Sequence, residues 1–113
     1  MSFEVITTPN FDKEAKRLAK RWPSLKADLG ALFTDLAEQP RTGTHLGNDV
    51  YKIRLRIAST GKGRSGGARV ITVVRYTGNR VYPCAIYSKG DKDTVSDKEI
   101  KALIRSIPDS SSP

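Results

Sequence analysis

The chain is poor in the residues that usually identify a small catalytic or metal-binding protein. Among 113 residues it has one cysteine, one histidine, one tryptophan and one methionine. A lone Cys84 cannot close an internal disulfide, which excludes a disulfide-stapled scaffold, and its apolar setting (VYPCAIY) reads as a buried thiol. His45 stands in RTGTHLGND with no second histidine, cysteine pair or serine nucleophile near it, so it is read as an exposed loop residue without a catalytic role. No metal or cofactor is therefore expected. No apolar run approaches the roughly 18 residues that span a bilayer, and MSFEVITTPNF lacks the charged-then-apolar layout of a signal peptide. A cytoplasmic protein with no membrane partner is expected.

Acidic residues are scarce where basic ones gather. The whole chain carries 20 Lys/Arg against 12 Asp/Glu, a net +8. Between Val50 and Lys92 ten basic residues face one acid, Asp91, so that stretch holds +9 and the remainder −1. Confinement of the charge to one region, with a pI near 9.9, points to a polyanionic partner such as nucleic acid.

The length fits one domain, taken as residues 1–108, with 109–113 (DSSSP) a disordered tail. Phe3 to Thr8 reads as a first strand closed by Pro9. Phe11, Ala15, Leu18, Ala19 and Trp22 then recur at helical spacing, and Pro23 separates them from a second stripe, Leu25, Leu29, Leu32, Phe33 and Leu36, that stops at Pro40. Pro23 is placed in the first turn of that second helix, and Arg41 to Asp49 is read as a loop. From Val50 the period becomes two. YKIRLRIAS directs Tyr51, Ile53, Leu55 and Ile57 one way and Lys52, Arg54 and Arg56 the other. ARVITVVRY and RVYPCAIYS continue as strands joined at Thr77 to Asn79, with Pro83 marking an edge or a bulge. Ser96 and Glu99 form a capping box before Ile100, Leu103, Ile104 and Ile107. The expected fold is α+β, in the order β-α-α-β-β-β-α, with a helical hairpin on one face of a small antiparallel sheet and solvent on the other.

Gly61, Gly63 and Gly66 in STGKGRSGGARV have the G-x-G-x-x-G spacing of a dinucleotide loop. That loop needs a helix after it, because the pyrophosphate rests on the helix N-terminus, and an acidic residue about twenty positions on. Here a strand follows, and Ala85, Ile86 and Tyr87 occupy the later region. The segment reads instead as a basic finger between two strands, offering Lys62 and Arg64 to a phosphate backbone, with a mobile loop kept soluble by its charge as the alternative.

The runs YKIRLRIASTGKGRSGGARVITVV and VYPCAIYSKGDKDTVSDKEIKAL resemble the RelE/HigB group of bacterial type II toxin–antitoxin toxins, with the KIR, GKG..GG.R and IY.K order of the HigB-like branch. The resemblance implies a ribosome-dependent endoribonuclease that cuts messenger RNA in the ribosomal A site. It also implies a cognate antitoxin, of the HigA helix-turn-helix type, through which alone operator DNA would be contacted. Carried over by position, Lys52 and Arg54 fall where relatives place catalytic lysines, Arg69 where they place a phosphate-binding arginine, and Lys89 on a basic position after the last strand. Arg56, Lys62, Arg64, Arg75, Tyr87 and Lys92 would hold RNA or the ribosome, Tyr87 by stacking. The chain departs from the pattern at Ser96, near the place of a C-terminal tyrosine, and at Gly90, a second basic position, which leaves the general base and acid unassigned. A ParE-like gyrase inhibitor of the same fold and a plain RNA- or ribosome-binding module remain as alternatives.

Overall fold

The computed structural model describes residues 2–63, 66–92 and 95–107. Its elements are β1 (Glu4–Val5), α1 (Pro9–Ala19), α2 (Leu25–Glu38), β2 (Thr44–His45), β3 (Val50–Leu55), β4 (Ala68–Arg75), β5 (Arg80–Ser88) and α3 (Asp97–Arg105), with a 3-10 turn at Ala58–Thr60. They form a five-stranded sheet in the order β1-β5-β4-β3-β2. The meander β3-β4-β5 is antiparallel, as direct connections without a crossover helix dictate, whereas β1 adds parallel to β5, so the sheet is mixed.

Each helical stripe buries as its spacing dictates. Phe11, Leu18 and Trp22 meet Leu25, Leu29, Leu32 and Leu36 over Ile53, Ile57, Val70 and Ile86 on one sheet face. Ala19 is the exception and lies exposed. Thr8 does not continue a strand but caps α1, accepting a hydrogen bond from Phe11 N, with Pro9 at the first helical position where its missing N–H costs nothing. Pro23 lies outside α2, whose cap is Ser24.

Several expectations are corrected. The first strand ends at Val5 rather than Thr8, yet Ile6 N and Thr8 N still donate to Val81 O and Pro83 O, so the chain follows β5 without a regular ladder. The expected loop at 41–49 contains β2, which pairs with Tyr51 and Lys52 only. The strand expected to reach Ser59 ends at Leu55 and turns into the 3-10 segment. There Ala58 N donates to Asp28 Oδ2, and Ser59 N to Ser24 Oγ, fastening the loop base to α2. Pro83 does mark a bulge. Thr72 pairs with Pro83 and Ile71 with Ala85, leaving Cys84 as the extra residue. The second sheet face is not solvated throughout. α3, capped by the Ser96–Glu99 box, lays Ile100 over Val50, Ile71, Val73, Tyr82 and Tyr87, and Ile107, just past the helix, joins the same cluster. The tail at 109–113 lies outside the described residues.

Candidate functional site

Strand register assembles the basic residues. Arg54 on β3 lies directly opposite Arg69 on β4, and Arg69 lies opposite Tyr87 on β5, so the three form one row across the sheet on the face that α3 partly covers. Lys52, two residues from Arg54, occupies the next row opposite Ile71. Two cations are thereby held in register on neighbouring strands, an arrangement that calls for counter-charge.

Burial grades the row. Arg54 and Arg56 are exposed and Lys52 is half-buried, whereas Arg69 is only 1% exposed, with Nη1 donating to Ala68 O at 3.3 Å. Arg69 is thus a fixed charge within β4, inside the sheet. Tyr87 is also buried, with Lys92 Nζ 5.3 Å from its ring centroid. Lys92 in turn pairs with Glu99, whose carboxyl this hydrogen bond, together with the Ser96 N–H, holds below its usual range. Lys92 thereby links β5 to the first turn of α3.

The glycine loop is tied down at its far end. A Cβ on Gly67 would lie 2.1 Å from Leu55 O, so only glycine lets the end of β3 and the start of β4 approach. Gly67 O accepts from Lys89 N at 3.1 Å, which places Lys89, exposed, beside the row. Lys62 is exposed and its stem lies against Gly66. Arg64 lies outside the described residues. Arg75 is not brought to the group: six residues past Arg69, it stands about 20 Å along β4, opposite Arg80.

One feature had no sequence signal. Because β2 covers only Tyr51 and Lys52, the β3 edge beyond them is open, and it forms one wall of a groove of about 760 Å³ lined by Lys52, Arg54 and Arg56. Asp28, Ala31 and Asp35 of α2 form the facing wall. Among the described residues no three His, Cys, Asp or Glu side chains converge as metal ligands do.

This architecture is that of known toxins. An arginine double mutant of Escherichia coli RelE in the free state superposes with a TM-score of 0.64 at 19% identity, covering 96% of this chain and 100% of that one. The isolated E. coli RelE toxin gives 0.60 at 19%, covering 94% and 100%. The RelBE2 toxin–antitoxin complex of Mycobacterium tuberculosis gives 0.57 at 18%, covering 78% and 99%. No curated protein matches the chain by sequence. The model of the family described as "RelE toxin of RelE / RelB toxin-antitoxin system" matches residues 12–108, and the chain belongs to that family. It is therefore the toxin of a toxin–antitoxin pair with an antitoxin as partner, and the known activity of the family is ribosome-dependent cleavage of messenger RNA. Among the described residues no helix is long and apolar enough to cross a membrane.

Proposed function

We propose that this chain is itself an active endoribonuclease of the HigB-like branch, acting in the cytoplasm on messenger RNA in the ribosome, and that Lys52, Arg54, Arg69 and Lys89 carry the reaction. The supporting observation is the in-register row of Arg54, Arg69 and Tyr87 with Lys52 beside it. Cleavage proceeds by attack of a 2′-OH on the adjacent phosphate, forming the P–O2′ bond and breaking the P–O5′ bond. Negative charge builds on the non-bridging oxygens, and guanidinium groups fixed in advance stabilise it without reorganising. Arg54 contacts the phosphate from the surface, and Arg69 supports it from within the sheet. Arginine cannot release its proton in a protein, so proton movement falls to the two amines. One of them, as the free amine, takes the 2′-OH proton, and the other, as the ammonium, gives one to the leaving 5′ oxygen. Arg56 and Lys62 extend the track for the RNA backbone, and Tyr87 supports the row from beneath Lys92. A HigA-type antitoxin neutralises the protein by covering this face.

Primer extension on messenger RNA in a translating extract tests the reading. Codon-spaced cuts that fade about 10²-fold or more in Lys52→Ala and Arg54→Gln are expected. Growth inhibition without cuts would instead establish a binding inhibitor, of gyrase or of the ribosome.

A further inference from the structure

Outside the sheet, a second basic surface is built on α1. Lys13, Lys16, Arg17, Lys20 and Arg21 follow one another at i, i+3, i+4, i+7 and i+8, the spacing of a single helical face, and all five are exposed. They span about 12 Å along the helix and the turn that ends it. Among the described residues none of them takes part in an ion pair, and the neighbouring acid Glu14 is committed elsewhere. Its Oε1 accepts from Ile86 N at 3.2 Å and from Asn10 Nδ2 at 3.1 Å. Asp12 is the one other acid on the helix. Favourable placement near the helix C-terminus accounts for Lys16 and Arg17 but not for a stripe five residues long. Like charges at i+3 and i+4 also oppose helix formation.

We infer that this stripe is a docking site for the phosphate backbone of double-helical RNA, distinct from the sheet face that takes the scissile strand. The choice of partner rests on what the surface lacks. The apolar face of α1 is already used, with Phe11 and Leu18 buried in the core, so nothing remains to enter a bilayer. Tyr76 is the one large apolar residue exposed among those described, and it lies at the β4–β5 turn, so the stripe has no apolar centre for a protein partner. Single-stranded RNA is held by stacking on exposed aromatics, and the nearest, Trp22, is 8% exposed with Arg21 over its ring at 5.5 Å. Charge alone remains, and a duplex backbone is bound by charge. The location suits a second contact. Asn10 and Glu14 of α1 bind Cys84 O and Ile86 N, so the helix lies along the open edge of β5 one residue from Tyr87.

The inference rests on the RNA-directed reading of the sheet, and its test separates the two. Fluorescence anisotropy with a labelled 16-base-pair RNA hairpin is measured against KCl for the full chain and for Lys13→Gln/Lys16→Gln/Arg17→Gln/Lys20→Gln. Each lost contact lowers the slope of log K against log salt by about 0.9, so a fall of roughly 3 to 4 is expected. Binding of a single-stranded 12-mer should stay within about twofold. The double variant Lys16→Gln/Lys20→Gln should give half the change and serves if the fourfold variant fails to fold. The variant Lys26→Gln/Lys98→Gln/Lys101→Gln/Arg105→Gln removes the same charge from exposed positions elsewhere. An equal fall in that control, an unchanged slope in the stripe variants, or binding to phosphatidylserine vesicles in place of the hairpin overturns the inference. Absence of cleavage by the unsubstituted chain, with its hairpin binding and the stripe effect as expected, counts against the sheet reading alone.

Discussion

Substituting alanine at three glycines of the β3–β4 connection should have three different outcomes. At Gly67 the new Cβ meets the Leu55 carbonyl oxygen at 2.1 Å and Arg56 Cα at 3.3 Å, both backbone atoms that cannot rotate away. Relief requires moving the β3 end from the β4 start by about an ångström, and overpacking of this kind costs about 3 kcal/mol, the upper part of its usual range. For a chain of this size that lowers Tm by about 12 °C, at roughly 4 °C per kcal/mol. The same shift disturbs the Arg54–Arg69 register and the Gly67–Lys89 hydrogen bond, so cleavage should fall with stability. Gly61 has φ +70° but no atom within 4 Å of an added Cβ, so alanine there costs about 1 kcal/mol of backbone strain. Gly63 is in open space with no such φ, and alanine should be neutral or stabilising by up to about 1 kcal/mol through the unfolded chain. Urea unfolding with a shared m-value reads all three. A Gly67→Ala protein no less stable than Gly63→Ala would refute the close approach of the strands.

Other consequences are simpler to measure. Burial pushes the Cys84 thiol from 9.0 up to about 12, which leaves about a thousandfold less thiolate for reaction. Ellman's reagent at pH 8 should therefore find no thiol in the native protein and one in urea. A raised thiol pKa also means that stability declines as pH climbs from the unfolded thiol value toward 12, a loss absent from Cys84→Ala. The Glu99 carboxyl is held below its ordinary 4.5 by Lys92 and then by the Ser96 N–H. Its contribution is complete above the unfolded value and disappears as pH falls through the lower folded one. Thermal melts from pH 6 down to pH 3 should show this acid limb in the wild type and a shallower one in Glu99→Gln. Leu36, fully buried between the helices and the sheet, should cost about 2–5 kcal/mol on truncation to alanine, read as a lower urea midpoint.

Local periodicity made much of the fold legible. Leu25, Leu29, Leu32 and Leu36 are all buried on one stripe, and the alternation of Lys52, Arg54 and Arg56 with Ile53, Leu55 and Ile57 separates an outer set from a core set. The Ser96–Glu99 box was readable because capping is a short-range interaction. Features set by distant contacts were not. β2 is two residues long and exists only because Gly43, at φ +101°, lets the chain close on Lys52 O, where an added Cβ would lie at 2.4 Å. The packing of α3 on the second face, which buries Tyr87, has no signature in the strands it covers. Cross-strand register is likewise invisible in one sequence, so the opposition of Arg54 to Arg69 and the remoteness of Arg75 emerge only from pairing. Summing charge along the chain also concealed the α1 stripe, because acids elsewhere in sequence cancel cations that helical geometry gathers on one face.

The central claim, that the basic row promotes attack by an RNA 2′-OH, is tested most directly by the ends the protein leaves. Ribosomes programmed with a defined message should yield a 2′,3′-cyclic phosphate or its 3′-phosphate product on one side and a 5′-OH on the other. A single 2′-deoxy substitution at the cut should abolish the reaction. Products bearing a 5′-phosphate, or cleavage that persists at the deoxy position, would contradict it.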